Sequence, residues 1–148
     1  MALLNYTTTV NAQKSAQQIQ SLLVAAHAEK IMYDFKGGIL DAIAFQLKGP
    51  DGGPIAFSMP ANAAGVLSVL KRSKIANRLK TIEHATNVAW RIQKDWIEAQ
   101  VAKVQCGMAE ITEVFMPYII TNNGQRMFER FSESGFKAIG MRSEDQSV

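Results

Sequence analysis

The sequence predicts an α+β fold: a small antiparallel sheet packed against helices, with one long helix in the C-terminal half. Three observations predict it. First, "KIMYDFK" (30–36), "ILDAIAFQL" (39–47) and "PIAFSM" (54–59) are short, rich in β-branched and aromatic residues, and separated only by "GG" and "GPDGG". Second, from about Ile82 to Cys106 apolar residues recur at three and four, the period of an amphipathic helix. Third, sheet-forming segments come first and helical ones later. The order β-α-β-β-β-α-α-α is that of an α+β chain rather than an alternating parallel one.

Taken in order, "YTTTV" (6–10) is rich in β-branched residues and predicts a short strand. Asn11 is placed as a helix N-cap. Ala12, Ala16, Ile19, Leu22, Leu23 and Ala26 then mark the buried face of a helix over 12–28, with His27 near its C-terminal end. In 30–36, Ile31, Tyr33 and Phe35 share one face of a strand, opposite Met32 and Asp34. Gly37-Gly38 is a two-residue hairpin turn. The next strand alternates Ile39, Asp41, Ile43, Phe45 and Leu47 against Leu40, Ala42, Ala44 and Gln46. A longer turn at 49–53 leads to a third strand with Ile55, Phe57 and Met59 on one face, completing a meander. After Pro60 the chain turns helical over 61–72. Thr81 caps the long helix, which at 1.5 Å per residue spans about 40 Å. Gly107 bends or breaks it, and "AEITEVFMPYII" continues in helical register to Pro117. "TNNG" (121–124) is a turn and "QRMFERF" (125–131) a last short helix. The whole reads as a single domain: 1–60 mainly sheet with one helix, 61–134 helical, and a polar tail over 135–148.

The long helix carries two apolar stripes. One is Ala85, Ala89, Ile92, Trp96 and Ala99. The other is a heptad-like seam of Trp90, Ile97, Val101, Val104, Met108, Ile111 and Phe115. A helix apolar on two sides needs two surfaces to pack on. The sheet covers one and the last helices part of the other; the remainder predicts a homo-oligomer, with Trp90, Ile97, Val101, Val104 and Met108 as the self-association surface, the alternative being that the domain wraps both sides itself.

Composition narrows the class further. A hydrophobic fraction of 47% excludes a disordered chain. No apolar run approaches a membrane span, and "MALLNYTTTV" has neither the cationic nor the apolar part of a secretory signal. The single cysteine, Cys106, makes no internal disulfide and suits a reducing cytoplasm.

Charge is unevenly spread. Net charge is +3, yet "KRSKIANRLK" (71–80) alone carries +5, so the rest of the chain sums to −2. Lys71, Arg72, Lys74, Arg78 and Lys80 are followed by Arg91 and Lys94, three apart and on one helix face. Seven cations thus stand against one acid, Glu83. These seven are the candidate phosphate-binding residues, with Tyr33, Phe35 and Phe57 as stacking surfaces if their sheet face is open. The alternative is a solvated linker between two helices, with Arg91 paired to Asp95.

No motif announces catalysis or a cofactor. The two histidines, His27 and His84, have no reason to meet, and Cys106 on a helix reads as a small hydrophobe. One cysteine and two separated histidines make no zinc pattern. Asp34 and Asp41 flank the first hairpin, where solvated turn-bordering acids are the simpler reading. The glycine turns lack the Lys-Ser/Thr and following helix of a phosphate loop.

Two resemblances follow. The order α-β-β-β-α over 12–72 is similar to that of double-stranded-RNA-binding domains. That family places lysines at the start of its last helix, where this chain has "PANAAG". The segments "VAWRIQKDWIEAQVA" (88–102), "EVFMPYI" (113–119) and "MFERF" (127–131) resemble small proteins of phages, prophages and mobile elements. That resemblance implies a bacterial cytoplasm and an accessory role, in replication, recombination or the blocking of host defence. It implies no catalytic residues.

The sequence therefore leads to a non-enzymatic accessory protein that binds a phosphate-rich ligand, nucleic acid in the first instance, through a localised basic segment. The alternative is an anti-defence protein that inhibits a host immune effector by contact or sequesters a nucleotide signal. Partners are nucleic acid, a nucleotide or a host defence protein, with no membrane.

Overall fold

The computed structural model describes residues 2–136. It is an α+β architecture whose elements run α1 (Ala12–Ala25), β1 (Lys30–Lys36), β2 (Ile39–Lys48), β3 (Pro54–Pro60), α2 (Ala63–Arg72), a 3-10 turn (Asn77–Leu79), α3 (Ile82–Gln105), α4 (Ile111–Phe115), a second 3-10 turn (Met116–Tyr118) and α5 (Met127–Glu133). The polar tail expected from residue 135 lies, from 137 on, outside the described residues.

The three strands form an antiparallel sheet in the order β1-β2-β3. Gly37 and Gly38 both take positive φ, at 57° and 79°, as a type I′ hairpin turn requires. Strict alternation along β2 fails at one point. Asp34 faces Ala42 while its neighbour Phe35 faces Leu40, so Asp41 is an extra, unopposed residue. This bulge reverses the phase of the strand. Leu40 joins Ile43, Phe45 and Leu47 in the core, and Ile39 leaves the set the simple alternation assigned it to.

One face of the sheet is thereby apolar throughout. Phe45 stacks on its cross-strand partner Phe57 at 4.9 Å between ring centroids. Phe115 meets both rings edge-on, and Trp96 meets Phe115 in turn. Such pairs prefer these geometries because ring edges are positive and faces negative.

Two helices cross that face. Asn11 caps α1 by accepting from the Lys14 N–H at 2.8 Å, and Thr81 caps α3 by accepting from the His84 N–H. From α1, Ala16, Ile19 and Leu23 enter the core. From α3, Ala89, Trp90, Ile97 and Val101 do so. The Ala12 N–H donates to the Asn87 side chain, Arg91 donates to Gln18, and Ala25 lies by Gln105. Residue numbers rise together along the contact, so α1 and α3 run parallel. Both N-termini therefore emerge at the same end.

One expectation is corrected. Residues 6–10 form no strand. Asn5 takes φ 63°, the Thr8 N–H turns back to the Asn5 carbonyl, and the Thr8 hydroxyl accepts from the Val10 N–H. The segment is tied to α3 instead, through Asn5 to Asp95 and the Tyr6 carbonyl to His84. The long helix breaks at Gly107, one of the two outcomes the sequence allows there. It ends at Gln105, Gly107 takes φ 74°, and α4 begins afresh after Glu110. The break lets α4 turn back and bury Phe115. Beyond it, the Ile120 N–H donates to the Ala56 carbonyl at 2.8 Å, and Ile119 bridges Phe57 at the edge of β3.

Candidate functional site

The basic segment is a fixed loop. α2 stops at Ser73, whose hydroxyl donates to the Val69 carbonyl at 2.6 Å and whose backbone is extended. Lys71 and Arg72 sit in the last turn of α2, where cations suit the negative end of the helix dipole. Two buried leucines then pin the ends: Leu70 on α2 and Leu79 on the 3-10 turn. The Lys80 ammonium reaches the Lys71 carbonyl at 3.5 Å, closing the loop on itself. Between these anchors Lys71, Arg72, Lys74 and Arg78 are all exposed.

Five other cations are paired, while Lys14, Lys30, Lys103 and Arg130 stand singly, without an acid in pairing distance among the described residues. Lys36 pairs with Asp41, Lys48 with Glu29, Arg91 with Asp95, Lys94 with Glu98, and Arg126 with Glu129. Among the described residues none of Lys71, Arg72, Lys74, Arg78 and Lys80 has an acid within ion-pairing distance.

Arg91 and Lys94 do not join them. Both face α1, with side chains only 14% and 15% exposed. Arg91 donates to Gln18 at 2.7 Å and flanks Asp95, while Lys94 lies between Asp95 and Glu98. α2 also packs on α3. Arg91 thus ties α3 to α1, and Lys94 pairs within α3 beside α1, so of the seven candidates only the five of 71–80 share the loop.

The self-association seam is used within the chain. Trp90, Ile97 and Val101 are buried within the chain's own core, with no second copy needed to cover them. Val104 is half-buried, and Met108, at 72% exposed, projects beyond the end of α3. Of the three stacking candidates, Phe57 is fully buried, Tyr33 is half-buried and Phe35 is 60% exposed.

Other candidate chemistry is dispersed. His27 follows the C-terminus of α1, whereas His84 lies in the first turn of α3, at the opposite end of the parallel pair. Asp41 pairs with Lys36 at 3.5 Å, and Asp34 borders the same shallow cleft with Arg126 and Glu129. Cys106 is exposed just past α3. Among the described residues no three His, Cys, Asp or Glu side chains gather as a metal site, and no helix is long and apolar enough to cross a membrane.

Sequence reasoning missed a larger cleft, of about 650 Å³, where the N-termini of α1 and α3 meet the β1–β2 hairpin. Tyr33, Phe35, Ile39 and Ile82 supply its apolar walls, and Gln13, Gln17, Glu83 and Asn87 its polar ones. The Tyr33 hydroxyl donates to Gln20 at 2.6 Å, and burial raises its pKa above the ordinary value. Only the parallel packing of two helices 57 residues apart in sequence creates the cleft, and no local motif carries that information.

The chain matches no protein-family model, no curated protein and no solved structure.

Proposed function

We propose that this protein is a non-enzymatic accessory protein that binds nucleic acid through residues 71–80. One observation carries the reading: among the described residues, five cations cluster on one short loop with no acid within ion-pairing distance, while Arg91, Lys94, Lys36, Lys48 and Arg126 are paired. An unpaired cationic cluster on a near-neutral body attracts a polyanion locally rather than coating the whole surface. Phosphates release condensed counterions when they meet such a cluster, which supplies sequence-independent affinity. The same proposal includes an accessory role in handling the nucleic acid of a phage or mobile element, the expectation set by residues 88–102.

The test is charge reversal of Lys71, Arg72, Lys74 and Arg78 to glutamate in the full-length chain. Binding to a labelled oligonucleotide is expected to disappear while the protein stays folded, its unfolding midpoint lowered only by the acids placed at the end of α2. Undiminished binding by the reversed protein would remove the reading.

A further inference from the structure

We infer that the cleft between the N-termini of α1 and α3 takes an unstacked nucleobase, so that the ligand is single-stranded. The inference rests on the proposed function and identifies the ligand more closely. The cleft begins where the basic loop ends. Ile82 and Glu83 line it, two and three residues beyond Lys80, which places their backbone within about 11 Å of that lysine. A strand whose phosphates lie on the basic loop is thereby led by Lys80 towards the cleft.

The lining fits a base and rejects a phosphate. Phe35 stands 60% exposed on the hairpin and offers a free ring face, with Tyr33 beside it. Base–aromatic stacking of this kind is the usual platform for single strands. Gln13 and Gln17 are exposed, and among the described residues their side-chain amides have no protein partner. Each amide offers both donor and acceptor, as the edge of a base requires. Asn87 has its oxygen engaged by the Ala12 N–H, which turns its amide nitrogen into the remaining donor. Glu83 repels phosphate from the cleft and accepts from an exocyclic amino group, favouring cytosine, adenine or guanine over thymine. A volume of about 650 Å³ admits one base with its sugar but no duplex, whose bases are stacked and paired.

The experiment measures binding of the full-length protein to three probes of equal length, about ten nucleotides: an oligo-dC strand, an abasic deoxyribose-phosphate strand and an oligo-dC·oligo-dG duplex. Wild type is expected to bind oligo-dC at least tenfold more tightly than the abasic strand or the duplex. Phe35→Ala is expected to lose that margin and leave abasic binding unchanged, while Phe35→Trp retains it. Equal wild-type affinity for oligo-dC and the abasic strand would overturn this inference and leave the basic-loop reading standing. Binding to none of the three would overturn both. The wild-type comparison decides the matter even if Phe35→Ala fails to fold.

Discussion

The indole N–H of Trp90 donates to the backbone carbonyl of Leu40 at 2.9 Å, joining the middle of α3 to β2 across fifty residues of sequence. Both residues are buried, and the bond locks the helix to the sheet beside the bulge at Asp41. Trp90→Phe keeps an aromatic ring but removes the donor and leaves part of the space empty. It is expected to cost about 2–4 kcal/mol, read as a lower midpoint in urea unfolding.

The ring cluster of Phe45, Phe57 and Phe115 makes a second stability prediction. Phe115→Ala is expected to cost about 3–5 kcal/mol, because a fully buried ring touching three others leaves a cavity the sheet cannot close. A double-mutant cycle between Phe45 and Phe115 is expected to show coupling of about 0.5–1.5 kcal/mol, from the edge-to-face contact.

The division of the cations is testable by comparing two variants. Arg91→Glu places a carboxylate beside Asp95 and removes the donor to Gln18. It is expected to lower stability by about 1–3 kcal/mol and leave nucleic-acid affinity unchanged. Lys74→Glu combined with Arg78→Glu is expected to do the reverse, since both side chains are exposed and unpaired. Thermal unfolding and fluorescence anisotropy on the same samples separate the two effects.

Helix caps give the smallest expected change. Asn11→Ala and Thr81→Ala each remove an acceptor for one orphan N–H, at 2.8 and 3.1 Å. Each is expected to cost about 1 kcal/mol in chemical denaturation.

Much of the fold was legible because its signals are local. The three strands, the Gly37-Gly38 turn, and the caps at Asn11 and Thr81 each depend on neighbours within a few residues, and all stand where the sequence places them. The misreadings have tertiary causes. The β-branched run at 6–10 has strand propensity, but Asn5 turns it towards α3, where Asp95 and His84 hold it. Alternation in β2 breaks at Asp41, and an extra residue leaves no mark on a period-two pattern. The candidate site was read in part for the same reason. The five cations of 71–80 are contiguous, so they share a loop. Arg91 and Lys94 are close to them in sequence only, because a helix face points where its packing sends it, and here that is towards Gln18. The heptad-like seam was read correctly as apolar, but periodicity does not say whether a sheet or a second subunit covers it. The cleft depends on α1 and α3 lying parallel, which no spacing encodes.

The most direct measurement of the central claim is the affinity of the full-length protein for a single-stranded oligonucleotide as salt rises. With four exposed cations meeting phosphates, the logarithm of the binding constant is predicted to fall with the logarithm of salt concentration at a slope of about −3. Reversing Lys71, Arg72, Lys74 and Arg78 is predicted to abolish both the binding and its slope. A binding constant indifferent to salt, or a slope unchanged by the reversal, would contradict the account.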